Sequence, residues 1–165
     1  MLHDLMEITM NEDLINQKMK ELAERIGYEF NDLSHLKKAM YCQIIHKPED
    51  GKNRKNYTND SYATLGDAVL KLILTENFFD KNYDKGKITL KKQELEKNKS
   101  LYDICEKYNI FTYAYNDDNF FNQAPKHNKV PHPKHDIYVE AIIAAIYKDK
   151  GIDYCKKWVG LIITV

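Results

Sequence analysis

Apolar positions recur along this chain at the three- and four-residue spacing of helices, and almost nowhere at the alternate spacing of strands. Leu14, Met19, Leu22 and Ile26 form the first stripe, and Gly27 follows as a stop. Asn31 or Asp32 is placed to cap a second helix through Leu33, Leu36, Ala39 and Met40. Residues 46–60 are polar, contain Pro48 and Gly51, and read as a loop. From Asn59 to about Phe79 the pattern predicts a long buried helix, with Tyr62, Leu65, Val69, Leu72 and Ile73 along one stripe. Lys81 to Gly86 breaks it. Thr89 is then placed to cap a short helix through Leu95, and Asn98 another through Leu101, Ile104 and Cys105. Residues 111–134 hold three of the four prolines and read as an irregular connector. His135 to Asp149 is the most apolar helix, ended by Gly151, and Ile152 to about Trp158 makes a last one. Leu161 to Val165 is the one stretch where a strand stays open. The expected fold is therefore all-α: a single domain over 1–165, with a core of about 22–158, a flexible lead at 1–12 and an irregular connector at 112–134.

Composition narrows the chemistry. The 165 residues carry 25 Lys plus Arg against 25 Asp plus Glu, so any nucleic-acid surface has to be a local patch rather than a global field. Cys42, Cys105 and Cys155 are odd in number and widely spaced, which gives neither a disulfide framework nor a paired-cysteine zinc motif. They read as buried thiols of a reducing compartment, and a cytoplasmic location is expected. No apolar run has the length of a membrane span, and the N-terminus, with Asp4, Glu7, Glu12 and Asp13, lacks the character of a signal peptide.

Two acids stand out. Asp67 lies inside the run Leu65, Ala68, Val69, Leu70, Leu72, Ile73, Leu74, and Glu140 leads the run Ala141 to Tyr147, with Asp136 one helical turn earlier. An ionised acid on a nearly all-apolar helix is costly unless it is paired or holds a metal. Two of them on two core helices point to a divalent-metal site. Asp60 and Asp136 lie near helix starts, where a capping role competes with ligation. His127, His132 and His135 fall in or beside the Pro-rich connector, where solvated side chains are the simpler reading. Lys87, Lys91, Lys92 and Lys97 are either a solvated face or the best candidates for phosphate contact.

The segment Asn59-Asp-Ser-Tyr-Ala-Thr-Leu-Gly-Asp-Ala-Val-Leu70 resembles the signature of the ribonuclease III endonuclease domain, Asn-Glu-Arg-Leu-Glu-Phe-Leu-Gly-Asp-Ala-Val-Leu, without gaps. Three further blocks follow the family order. Ile26-Gly-Tyr-Glu-Phe30 is similar to its opening Leu-Gly-Tyr-x-Phe, Gly86-Lys-Ile-Thr89 to its Gly-x-Leu-Thr, and Glu140 to Asp149 to its late helix. Together they cover roughly Leu22 to Trp158.

The resemblance implies a helical endonuclease domain that dimerises, lays double-stranded RNA across a shared valley, and cleaves with Mg2+ (Mn2+ as a substitute), without an organic cofactor or a membrane. It implies products with 5′-phosphate and 3′-hydroxyl ends. Residue by residue, it makes Asp67, Glu140 and Asp60 the catalytic acids and Asp67, Glu140 and Asp136 the metal set. Asp60 replaces the first signature glutamate and Ala63 the second. Ile137 falls on the family's late aspartate, one place after Asp136, and Thr64 replaces a bulky Phe of the subunit contact. The 165 residues leave no room for an appended double-strand-binding domain, so the expectation is that either such a domain has been trimmed away or the catalytic domain finds its substrate alone. The two missing acids also motivate an alternative reading, a catalytically impaired scaffold that binds RNA or dimerises. A third option, a hydrolase of small phosphates, calls for an enclosed pocket.

Overall fold

The computed structural model describes residues 2–42, 59–95, 98–116, 120 and 137–163. Among the described residues, seven α-helices follow one another: α1 Leu2–Arg25, α2 Ser34–Met40, α3 Asp60–Asp80, α4 Lys85–Leu95, α5 Asn98–Lys107, α6 Ile137–Lys150 and α7 Ile152–Ile162. A 3-10 turn, Ile110–Tyr113, follows α5. Among the described residues there is no strand, only isolated bridges of Tyr115 with Tyr41 and with Phe120.

α6 is the centre of the bundle. Tyr138, Val139 and every residue from Ala141 to Ile146 are buried, so no face of its first three turns is left to solvent beyond the flank that carries Ile137 and Glu140. α2, α3, α5 and α7 surround it. Small side chains set the close approaches: Ala39 of α2 packs on Ala141 and Ala145 of α6, with Tyr62 of α3 and Phe30 against the same seam. α3 turns Ala63, Gly66, Val69, Leu70, Ile73, Leu74 and Phe78 inward. α4 buries none of its residues and lies on the surface.

Helix ends follow local chemistry. Gly27, at a φ of +69°, ends α1, and Tyr28 N–H donates back to Ala23 O at 3.0 Å. Asp32 Oδ1 accepts from Ser34 N–H at 2.9 Å and holds the start of α2. Gly151, at a φ of +83°, turns the chain from α6 into α7.

Two expectations change. Thr89 is no cap: α4 begins a turn earlier, Asp84 Oδ1 accepts from Lys87 N–H at 2.9 Å, and the Thr89 hydroxyl donates back to Lys85 O. Gly86 is tolerated there because a first turn asks little of its residues. The stretch after Leu161 is not a strand start, since α7 continues to Ile162. α1 runs from Leu2 through the residues set apart as a flexible lead. The connector begins inside the core, where Tyr113, Ala114, Tyr115 and Phe120 are buried. The remainder of that connector, its histidines, and the loop at 46–58 lie outside the described residues.

Asp149 ties the end of α6 to the α1–α2 loop. Its carboxylate accepts from Tyr28 Oη at 3.2 Å, Asn31 N–H at 3.0 Å and Asp32 N–H at 2.8 Å. Burial and the adjacent Asp149 carboxylate push the Tyr28 hydroxyl well above its ordinary pKa. Lys150 Nζ reaches Glu29 O, and Trp158 Nε1–H donates to Ile26 O at 3.0 Å. Asp149→Ala strips an anionic acceptor from two backbone N–H groups. Its expected cost is about 2 kcal/mol, read as a lower urea midpoint with an unchanged slope.

Candidate active site

The site is built where α3 crosses α6. A Cβ added to Gly66 would lie 1.7 Å from Glu140 O and 2.4 Å from its carbonyl carbon, so the two backbones touch there. The helices run in the same direction. At their starts, the charge of Asp60 and the hydroxyl of Tyr138 both reach the Cys42 thiol. Farther on, Leu65, Val69 and Leu72 share one groove with Tyr147, Gly151 and Ile152. Parallel packing with Gly66 against Glu140 brings Asp67, the next residue of α3, to the same level as Glu140 at the first turn of α6.

The surroundings of Asp67 differ from expectation. It is not buried in the apolar run: its side chain is 37% exposed, and Oδ2 accepts from Lys71 Nζ at 2.6 Å. The reason is angular. Residues 63, 66, 70 and 73 face the core, while 64, 68, 71 and 72 face solvent, and position 67 falls at the boundary. Glu140 is likewise partly exposed. It lies in the first turn of α6, near the positive end of that helix's dipole.

The other candidates separate. Asp60 is exposed on the first residue of α3, two turns before Asp67, and burial of its surroundings raises its carboxyl pKa. It is not the cap. Asn59 holds that position, fully buried, and its Nδ2–H donates to Ala39 O at 2.9 Å instead of closing the helix. Asp136 and Lys97 lie outside the described residues. Lys87, Lys91 and Lys92 share α4: Lys87 Nζ sits 3.7 Å above the Tyr83 ring, and Lys91 pairs with Glu94 at 2.8 Å.

Ala63 and Ile137 each lie one turn before the crossing residues, so in parallel helices they stand at one level. Ala63 is buried, and Ile137 packs on the core. Among the described residues no three of His, Cys, Asp and Glu converge. What the crossing offers is two carboxylates beside an apolar step. Hard oxygen donors in this number suit Mg2+, which takes one or two carboxylates and keeps several waters, and partial exposure leaves room for those waters.

Sequence reading missed Lys71 as the partner of Asp67. The signal was available: an acid followed four residues later by a lysine on one helix is a standard ion-pair spacing.

The ribonuclease III domain profile matches residues 60–151, more than half of the chain. The chain belongs to the ribonuclease III family. It is 30% identical over 150 residues to Ribonuclease 3 of Clostridium beijerinckii, covering 87% of this chain and 60% of that protein. Against Ribonuclease 3 of Clostridium acetobutylicum the identity is 29% over 145 residues, covering 86% and 59%. The chain thus spans about three fifths of the length of these relatives. Among solved structures it is similar to the nuclease domain of ribonuclease III from Campylobacter jejuni. The TM-score is 0.68 at 26% identity, over 88% of this chain and 95% of that one. That domain is described as flexible in a region involved in dimer formation.

The crossing gives a stability prediction with an internal control. Gly66→Ala forces α3 away from α6 and should cost at least about 3 kcal/mol, at the upper end of overpacking penalties. Gly160, in the last turn of α7 with nothing within 4 Å of an added Cβ, should accept alanine with no loss or a small gain. Thermal melts of the two variants test this; similar behaviour would contradict the close contact.

Proposed function

We propose that this chain is a magnesium-dependent endoribonuclease that hydrolyses phosphodiester bonds of double-stranded or hairpin RNA and leaves 5′-phosphate and 3′-hydroxyl ends. The observation that carries the reading is the α3–α6 contact at Gly66, which brings Asp67 and Glu140 to one level of a ribonuclease III-like fold.

Asp67 and Glu140 would hold the ion, with Mn2+ as a substitute. When bound, it supplies an activated water and neutralises charge on the phosphoryl and leaving oxygens. Asp60, about 10 Å along α3 from Asp67, is too far to share the ion's innermost shell. Its role is to orient a water or a neighbouring group. Ala63 contributes no ligand, so affinity for the ion is lower than in relatives with a full set of acids. On sequence grounds Asp136 joins the metal set through a water, and Lys97 extends the row Lys87, Lys91, Lys92 that meets backbone phosphates. Duplex RNA would be recognised by shape and phosphate contact rather than base sequence.

The working form is a homodimer. Leu65, Ala68, Leu72, Tyr147 and Ile152 border an open groove of about 640 Å³ beside the crossing, and Leu72 is 57% exposed. A second copy laid on this face would bury that surface and extend the RNA-binding valley. We read residues 22–158 as one domain. A cytoplasmic location fits the three buried free thiols, and no described helix is long and apolar enough to cross a membrane.

Cleavage of an end-labelled RNA duplex tests the reading. Cutting should require Mg2+, stop with EDTA, and fall at least about a hundredfold in Asp67→Asn and Glu140→Gln. No cutting by folded dimer, with Mg2+ or Mn2+, leaves the scaffold reading in its place. Cutting that survives both substitutions puts the site elsewhere.

A further inference from the structure

Lys71 lies where the proposed ion has to enter. It follows Asp67 by one helical turn, is itself 49% exposed, and donates from Nζ to Asp67 Oδ2 at 2.6 Å. On the opposite side, one turn toward the helix starts, stand Ala63 and Ile137, neither of which offers an oxygen donor. The carboxylate pair is therefore bounded by a methyl and a butyl side chain on one side and by an ammonium on the other. Asp67 Oδ2 is already committed to that ammonium.

An exposed ion pair at i,i+4 spacing contributes little to stability. Its consequence lies in what it does to the other partners of Asp67. Resting on the reading of Asp67 and Glu140 as the ion-holding pair, we infer that Lys71 is a built-in competitor for the divalent ion. Its ammonium neutralises Asp67 in the metal-free protein and has to swing away, or bear the repulsion of a dication, for Mg2+ or Mn2+ to bind. Both adjustments weaken binding. The long side chain and its exposure make the displacement feasible without moving α3. Metal affinity is then set by this lysine together with the two absent acids.

The consequence is measurable without cleavage. Isothermal titration of Mn2+ into wild type, Lys71→Met, Lys71→Arg, Asp67→Asn and the double variant Lys71→Met/Asp67→Asn reads the ion directly. Removing the lysine charge should tighten binding about tenfold, the size of the repulsion between a monovalent and a divalent cation about 5 Å apart in water. Lys71→Arg keeps the charge and should stay near wild type. Because position 71 is exposed, all three Lys71 forms should melt close together. Equal affinities in wild type and Lys71→Met, both lost on Asp67→Asn, overturn the inference and leave the ion site standing. Absence of binding in wild type and Lys71→Met alike, or tight binding that survives in the double variant, removes the site reading and the inference with it.

Discussion

The contact between the α3 backbone at Gly66 and the α6 backbone at Glu140 governs most of what this protein can do. A side chain at position 66 has no space, since even its first carbon would overlap the Glu140 carbonyl. Only glycine lets the two helices touch, and only touching helices bring carboxylates from two separate elements to one level. The same contact fixes the helix register. Once residues 66 and 140 are in register, 63 faces the level of 137, and the groove formed by Leu65, Val69 and Leu72 with Tyr147 and Ile152 follows. The core supports this crossing through the alanine seam of Ala39, Ala141 and Ala145, which draws α2 against α6 from another side.

Electrostatics at the crossing is balanced between attraction and restraint. Glu140 stands in the first turn of α6, beside the positive end of that helix's dipole, and Asp67 is paired with Lys71 Nζ at 2.6 Å. The two carboxylates thus sit in different fields, one set by a helix terminus and the other by a neighbouring cation.

The helical class and the order of the helices were legible from the sequence, because apolar periodicity is a local signal; the two acids proposed for the site were read from the run through Gly66-Asp67 and from the start of the late apolar helix. The environment of Asp67 was less so. The apolar neighbours Leu65 and Ala68 suggested burial, but a helix has a boundary between its faces, and the residue there takes its setting from the partner helix. Thr89 was misplaced as a cap because Gly86 resembled a break, although glycine in a first turn is compatible with a helix once Asp84 supplies the cap. The buried start of the connector, Tyr113 to Tyr115, depends on contacts with α2 that no local pattern encodes. Asp149 read as part of a family block, and its three acceptor bonds to the α1–α2 loop emerge only when chain segments far apart in sequence meet.

The two missing acids belong to one physical change. Ala63 and Ile137 stand at one level, and Ala63 is buried. A glutamate at 63 opposite isoleucine would be a charge out of water with neither a partner nor an ion to compensate it. An aspartate at 137 opposite alanine would lack the second donor that makes a metal shell worth its dehydration. Either acid alone is unfavourable, whereas both together can share an ion and neither together can pack. This chain has adopted the last arrangement at that level and kept the carboxylates one turn further on, where solvent reaches both. The result is a crossing whose inner half is core and whose outer half keeps two partly exposed carboxylates.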